Sequence, residues 1–218
     1  THAVFHMIIF PGIRSLIQKA DLSGENGMLA VNNYDEFLKT VEVITKSYAK
    51  VDGERVEPKI VVLVGPSGSG KNKIAELLLQ KCPAFEKLTS YTTRALDPTE
   101  AHYAHIPKAE FLNMMDAGVF FESTMYAGEA FGSKREDVDA LLAKGKTVLA
   151  VMDICGAMSL KTHYEGVVTV HIKKDTRALL RTILEENSSI DDKVGRIVSI
   201  EDEKRNEEIC DVVLSNDN

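Results

Sequence analysis

The sequence is short of several features that define a protein class by themselves. Its 218 residues contain three cysteines, Cys82, Cys155 and Cys210, whose wide spacing matches no metal knuckle or CxxC redox motif. The simplest interpretation is three reduced thiols in an intracellular protein, so we expect a cytoplasmic location. No apolar run approaches the roughly 18 residues that span a bilayer. Membrane insertion is therefore not expected.

The sequence also lacks an excess of positive charge. Lys and Arg total 26 against 33 Asp and Glu, and the formal net charge is −7. Nucleic-acid-binding domains need a basic face, so nucleic acid is not an expected partner. A nucleotide stays compatible, because a phosphate site needs only local positive charge. Hydrophobic residues make up 44% of the chain, which is ordinary for a globular protein of one or two domains.

The chain divides into two unequal parts. Residues 1–58 contain a predicted short strand near residues 4–10, one helix of period 3.6 that starts near Asn33, and a polar linker at residues 52–55. We expect this segment to be an N-terminal extension that packs on a main domain of residues 59–218 or connects that domain to something upstream.

The main domain alternates between strand and helix patterns. Continuous β-branched and leucine-rich runs predict strands buried on both faces. The predicted strands are 60–64, 147–152, 167–172 and a final one within 210–214; the predicted helices are 74–83, 108–117, 135–144 and 177–186. This alternation indicates an α/β fold with a mainly parallel sheet covered by helices on both faces.

A glycine-rich phosphate-binding loop follows the first of these strands. Its sequence matches GxxxxGK between a predicted strand and a predicted helix, the context that this motif requires. Backbone amides of such a loop surround phosphate oxygens, and its lysine reaches the outer phosphates of a nucleoside triphosphate. The predicted ATP phosphate-binding residues are Gly65, Ser67, Gly68, Ser69, Gly70, Lys71 and Asn72. The alternative is a glycine-rich turn with an incidental lysine.

Five later segments narrow the choice of family. They are S-Y-T-T-R (90–94), F-F-E (120–122), G-E-A-F-G-S (128–133), V-L-A-V-M-D-I-C-G (148–156) and V-V-L-S-N-D (212–217). In order and spacing these segments, together with the loop, resemble the guanylate kinase family across residues 59–217. The resemblance implies a P-loop nucleoside-monophosphate-kinase-like fold, with a small GMP-binding subdomain and a lid. It also implies phosphoryl transfer from ATP, with Mg²⁺, to GMP.

The resemblance further assigns roles to individual residues. Ser90, Arg94, Tyr103 and Ser133 would hold the GMP phosphate, and Glu122 and Asp153 would recognise guanine through its N1 and N2 donors. Lys71, Arg94, Arg181 and Arg196 are the candidate catalytic residues. Taken singly, Glu122 could be a solvated carboxylate, Asp153 a helix N-cap, Arg94 a surface ion pair and Tyr103 a packing residue.

The chain departs from the family pattern at several positions that matter for catalysis. Asn72 stands where a Ser or Thr hydroxyl usually holds Mg²⁺, although its amide oxygen is a candidate ligand. Asp97 replaces a second phosphate-binding arginine, Phe131 replaces a tyrosine, and the segment 184–189 is acidic where the family lid is basic.

These departures predict impaired or absent phosphotransfer and a binding or scaffold role, with a nucleotide or a protein as partner. One alternative is an active guanylate kinase with a rewired lid. Another is a phosphotransferase that acts on a different acceptor.

Overall fold

A computed structural model describes residues 59–96, 102–126 and 128–216. The predicted N-terminal extension and its boundary lie outside the described residues, as does Asp97, so these stay predictions. In chain order the described elements are β1 (Ile60–Val64), α1 (Lys71–Lys81), β2 (Phe85–Lys87), β3 (Ser90–Thr92), β4 (Tyr103–His105), α2 (Lys108–Asp116), β5 (Phe120–Tyr126), β6 (Glu129–Lys134), α3 (Arg135–Ala143), β7 (Thr147–Val151), α4 (Ile154–His163), β8 (Val167–Lys173), α5 (Thr176–Glu185), α6 (Ile190–Arg205), a 3-10 turn (Asn206–Glu208) and β9 (Val212–Ser215).

The larger sheet is parallel and forms the centre of the domain. Its strands lie in the order β2-β7-β1-β8-β9, and each described pairing between them is parallel. All five residues of β1 are buried, because side chains that alternate between the two faces of a central strand meet helices on both sides. The expected α/β fold is therefore confirmed.

Helices cover both faces of this sheet. On one face, Ile74, Ala75 and Leu78 of α1 pack against alternate residues of β1, β7, β8 and β9. On the other face, α3 and α4 contribute Val138, Leu160 and their neighbours to a second buried cluster. Helices α5 and α6 pack against each other through a separate small apolar cluster. This arrangement leaves the loop between β1 and α1 at the carboxyl edge of the sheet.

A second, smaller sheet carries the middle of the chain. Its strands lie in the order β4-β3-β6-β5, with β3 and β6, and β5 and β6, antiparallel. Phe111 of α2 is 1% exposed and stacks on Phe120 with ring centroids 4.5 Å apart. This sheet occupies the position expected for the small subdomain, and it holds β5 beside the carboxyl end of β7.

The predicted elements of the main domain are confirmed with shifts of a few residues at their ends. The predicted helix from residue 74 begins earlier, at Lys71, and the final strand runs from Val212 to Ser215. Helices α4 and α6 and the strands of the smaller sheet were not predicted individually. Over the part of the chain that the structure describes, no helix combines the length and the apolar character needed to cross a membrane.

Candidate functional site

At both ends of the loop between β1 and α1, the backbone has a conformation that only glycine adopts easily. Gly65 has φ 136°, and a Cβ added there would lie 2.5 Å from the carbonyl oxygen of Ile172. Gly70 has φ 92°, and a Cβ there would lie 2.4 Å from Nδ2 of Asn216. Both positions combine a positive φ with a blocked Cβ, so the loop geometry depends on glycine. The loop then leads directly into α1, whose N-terminus faces the space that the loop surrounds.

Lys71 is folded back over this loop. Its Nζ donates hydrogen bonds to the carbonyl oxygens of Gly65 at 2.5 Å and Pro66 at 2.9 Å. Burial lowers the pKa of Lys71 to about 8, although the nearby Glu203 carboxylate opposes that change and Arg196 adds to it. An arriving phosphate would give this partly desolvated ammonium the counter-charge that favours its protonated form.

Two residues from distant parts of the chain support the loop from outside. Asn216 donates from Nδ2 to the carbonyl oxygen of Ser69 at 2.7 Å, and Lys174 approaches the carbonyl oxygen of Gly68 at 3.4 Å. Sequence reasoning gave neither residue a role. Asn216 lies in the segment V-V-L-S-N-D, which is one of the segments that resemble the family. Its place in that segment is the sequence signal that could have indicated a role.

Arg196 of α6 connects the loop to the acidic segment after α5. Its Nε donates to Oγ of Ser67 at 2.7 Å, and its Nη1 contacts Oε2 of Glu186 at 2.5 Å and Oδ2 of Asp192 at 3.4 Å. The hydrogen bond to Glu186 is the main cause that raises the pKa of Arg196. Arg196 as a whole residue is 8% exposed, so it is a buried cation held by two carboxylates beside the phosphate-binding loop.

A cavity of about 650 Å³ opens in front of the loop. Its described lining consists of Ser67, Gly68, Gly70, Lys71, Asn72, Lys73, Arg94, Tyr103, Glu129, Phe131, Glu186, Ser188, Asp192 and Arg196. Four of these side chains are cationic and three are acidic. The cavity therefore combines a phosphate-binding loop with a positive charge that is only slightly in excess.

A second cavity of about 330 Å³ adjoins the first, and the two share Lys71, Asn72, Tyr103 and Phe131. The remaining described residues of its lining are Ser90, Glu122, Thr124, Gly132, Val151, Met152 and Asp153. The shared residues mean that a ligand in one cavity would lie next to a ligand in the other.

Two carboxyl groups face this smaller cavity. Glu122 accepts a hydrogen bond from Oγ of the buried Ser133 at 2.9 Å. Burial raises its pKa to about 7, with the Asp153 charge adding to that rise and the Ser133 hydrogen bond opposing it. Asp153 caps α4 by accepting from the amide of Gly156 at 2.8 Å. Glu122 is thus a half-buried, oriented carboxyl, and Asp153 is both an N-cap and a lining residue.

The predicted phosphate-binding residues lie around the junction of the two cavities. Tyr103 lines both cavities, Arg94 lines the larger and Ser90 the smaller. The Arg94 guanidinium lies 5.8 Å from the centroid of the Tyr103 ring, within the range of a cation–π contact. Ser133, in contrast, points to Glu122 and is not part of either described lining, so it orients a carboxyl in this structure.

A family sequence model described as guanylate kinase matches residues 57–218. The chain belongs to the guanylate kinase family. The guanylate kinase of Idiomarina loihiensis is 32% identical over 165 residues, which cover 72% of this chain and 79% of that relative. The guanylate kinase of Chlamydia muridarum is 35% identical over 120 residues, which cover 53% of this chain and 58% of that relative.

The fold is also similar to that of a solved family member. The crystal structure of guanylate kinase from Anaplasma phagocytophilum matches with a TM-score of 0.57 and 26% identity, covering 73% of this chain and 77% of that one. This likeness confirms the P-loop nucleoside-monophosphate-kinase-like architecture.

One predicted catalytic residue lies apart from the others. Arg181 is exposed on α5 and is not among the lining residues of either cavity. Arg196, on α6, contacts the loop directly. Of the two arginines that flank the acidic segment, Arg196 is therefore the one that this structure brings to the site.

Mg²⁺ accompanies ATP in this family, and the described residues offer few oxygen ligands for it. Asn72 lines both cavities and supplies an amide oxygen, which is an acceptable ligand for a hard cation. Within the described residues there is no cluster of three or more His, Cys, Asp or Glu side chains that could hold a metal ion. The residues present fit an ion held chiefly by nucleotide phosphates and water, with Asn72 beside it.

Proposed function

We propose that this guanylate kinase-family domain binds ATP in the larger cavity and GMP in the smaller one, and that its phosphotransfer is strongly impaired. The observation that carries the proposal is that Arg196 is paired with two carboxylates. Its guanidinium lies at the phosphate-binding loop, but Glu186 and Asp192 already neutralise it. The domain then acts mainly by binding.

The assignment of GMP to the smaller cavity rests on hydrogen-bonding chemistry. Guanine presents N–H donors at N1 and N2, which Glu122 and Asp153 can accept, whereas adenine offers no such pair. Arg94 is suited to the GMP phosphate because a guanidinium can donate two parallel hydrogen bonds to phosphate oxygens. It lines the larger cavity and lies 5.8 Å from the ring of Tyr103, which lines both cavities, and this supports a role between the proposed donor and acceptor.

The proposed impairment follows from charge. Phosphoryl transfer depends on positioning and on positive charge around the moving group, and one transition-state arginine is worth about 10³–10⁵ in rate. Here the acidic residues of the larger cavity nearly balance its cations. Asn72 replaces the hydroxyl that usually holds Mg²⁺. The combined loss is expected to be large even though such effects are not additive.

A second candidate function is an active guanylate kinase in which Arg196 supplies the charge that the lid lacks. The observation that favours it is the 2.7 Å contact between Arg196 and Ser67 of the loop. If nucleotide phosphates displaced Glu186, the arginine would already be close to them. A protein partner for the domain stays a prediction from the sequence.

The deciding experiment pairs calorimetric titration of ATP and GMP with a coupled assay of ADP formation in the presence of Mg²⁺. We expect both nucleotides to bind, and turnover to lie at least about 1,000-fold below the 1–100 s⁻¹ typical of kinases. Lys71→Ala should weaken ATP binding, whereas Lys144→Ala, which removes an exposed lysine outside both cavities, should not.

The outcomes separate the two candidates. GMP-dependent turnover in the usual kinase range, lost in Lys71→Ala, would establish the active kinase instead. Binding of ATP without GMP, with another phosphate acceptor competing, would refute the assignment of the smaller cavity. Absence of binding by either nucleotide would refute the proposal as a whole.

A further inference from the structure

Helix α6 presents a row of large apolar side chains to the outside of the domain. Ile190, Val194 and Val198 are 78%, 53% and 70% exposed. Their spacing of four residues places them along one continuous ridge of the helix, which we call the α6 ridge. The buried residues Arg196 and Ile200 lie on the other side of α6, where Ile200 packs against α5. Helix α6 thus contacts the domain with one face and exposes an apolar ridge on the opposite one.

Gly195 lies beside this ridge and has no evident purpose within the domain. Glycine weakens the interior of a helix, so it is favoured there only where space or backbone freedom is needed. Gly195 is exposed, and a Cβ added to it would meet no atom of the described neighbouring residues within 4 Å. Packing inside the described domain therefore does not require this glycine. It leaves room for another element to approach the backbone of α6 closely.

The sequence before the described domain contains a segment that could cover the ridge. Phe37, Val41, Ile44 and Tyr48 recur with the spacing of one helix face, and Lys46 falls on the opposite face. A predicted helix with one apolar face needs another element to bury that face, because isolated helices of this length are marginal in water. The predicted helix and the α6 ridge therefore have matching requirements.

The connection between the two is long enough for contact within one chain. The ten residues 49–58 join the predicted helix to Lys59 and span about 33 Å when extended. The amide of Lys59 donates to the carbonyl oxygen of Gly166 at 3.1 Å, just before β8. Farther along β8, Nε2 of His171 lies 3.0 Å from the carbonyl oxygen of Glu203 in α6. Gly166 and His171 are about 17 Å apart along a strand, so the linker can reach α6.

The ridge itself is also within reach, since Val198 lies only about 8 Å along the helix axis from Glu203. A short tether gives the attached segment an effective concentration in the millimolar range. This favours the segment over a second copy of the chain as the occupant of the ridge.

We infer that the α6 ridge is the docking surface for the predicted helix of residues 33–48 of the same chain. The apolar face that carries Phe37 and Ile44 packs on the ridge at Val194 and Val198. Because α6 also carries Arg196, the docked segment supports the helix that holds this arginine at the phosphate-binding loop. The inference does not depend on which nucleotides the domain binds.

The test measures amide hydrogen exchange of residues 33–48 in the full chain by mass spectrometry. The double variant Val194→Asp/Val198→Asp charges the ridge, and both side chains are more than half exposed, so the domain is expected to stay folded. Ile44→Asp charges the other side of the proposed contact and lies outside the described domain. Leu112→Asp, on the exposed side of α2, is the matched control. Circular dichroism verifies folding, and light scattering gives the mass.

We expect residues 33–48 to be protected from exchange in the wild-type monomer. Protection should fall by at least about tenfold in the ridge variant and in Ile44→Asp, because an undocked helix opens freely. Leu112→Asp should keep the wild-type protection. Combining Ile44→Asp with the ridge variant should lower protection no further, since both changes remove the same contact.

Three results would overturn the inference. The first is exchange of residues 33–48 at the same rate in the wild type and in the folded ridge variant. The second is protection that appears only in a dimer and varies with protein concentration, which would assign the ridge to a second copy. The third is an equal loss of protection in Leu112→Asp, which would show that any added surface charge has this effect. Each of these results leaves the proposed nucleotide binding to be decided by its own titrations.

Discussion

Lowering the pH from 8 to 6 should weaken GMP binding, because Glu122 must be ionised to accept hydrogen bonds from guanine. Burial raises the pKa of this carboxyl to about 7. Its ionised fraction then falls from about 0.9 at pH 8 to about 0.1 at pH 6, and the apparent dissociation constant rises by about tenfold as the competent fraction shrinks. At pH 7, binding should release about half a proton from this group.

Calorimetry in buffers of different ionisation enthalpy measures both the affinity and the proton release. The GMP phosphate itself titrates with a pKa of about 6, so wild-type data alone do not isolate the carboxyl. Glu122→Gln keeps the ligand phosphate and a carbonyl acceptor but lacks the titrating group. We expect the ratio of the GMP dissociation constants at pH 6 and pH 8 to be about tenfold larger in the wild type than in Glu122→Gln. Equal pH dependence in the two proteins would refute the reasoning.

The Glu122→Gln variant also allows a test of stability, because the raised pKa predicts which protein unfolds more easily at high pH. The folded pKa of Glu122 lies above its ordinary value of 4.5, so the folded state favours the protonated form. The ionised carboxyl therefore destabilises the fold above pH 7, and this penalty fades as the pH falls towards 4.5. From a difference of between two and three pH units, the penalty is about 3 kcal/mol. Urea unfolding at pH 8 should show Glu122→Gln as the more stable protein, with the difference gone near pH 4.

Three further changes test other parts of the site. Glu186→Gln should raise ADP formation by at least about tenfold, because it releases Arg196 and a transition-state arginine is worth about 10³–10⁵; an unchanged rate in the coupled assay would contradict the proposed cause of impairment. Asn216→Ala removes the donor to the Ser69 carbonyl, so it should lower the free energy of unfolding in urea by about 1 kcal/mol and weaken ATP binding. A variant with unchanged stability and full ATP affinity would contradict that role. Phe111→Ala should lower the free energy of unfolding by about 3–5 kcal/mol, since the ring is 1% exposed, and a loss below about 1 kcal/mol in urea would show that the smaller sheet does not depend on it.

The sequence predicted the parallel sheet well because its strands are buried on both faces. Runs such as Ile60–Val64 carry no polar residue, so they cannot be mistaken for amphipathic surface elements. The phosphate-binding loop was equally easy to predict, because Gly65 and Gly70 occupy positions where a Cβ would strike Ile172 or Asn216. In both cases a local requirement on residue type leaves a local pattern.

Elements whose residues contact segments far away in the sequence were harder to predict. Helix α4 has little amphipathic contrast, because its residues meet the larger sheet on one side and Phe121 of β5 on another. Helix α6 looks polar because Arg196 faces the loop and Glu203 lies near Lys71, so its inward face is partly charged. Periodicity of apolar residues detects neither case.

The candidate site shows the same division. Glu122, Asp153 and Arg94 were found through motif spacing, which preserves order along the chain. Asn216 was assigned no role, because its position matters only once β9 lies beside the loop. The acidic segment was recognised as unlike the family lid, but its pairing of Glu186 with Arg196 required coordinates.

The bond between Asn216 and Ser69 joins residues 147 positions apart in the chain. A growing polypeptide would have made the loop long before β9 left the ribosome, yet the loop would still lack this support. Nucleotide affinity should therefore appear late in synthesis, when β9 pairs with β8. During translation, ATP would therefore stabilise chains that had completed the sheet more than it stabilises partial ones.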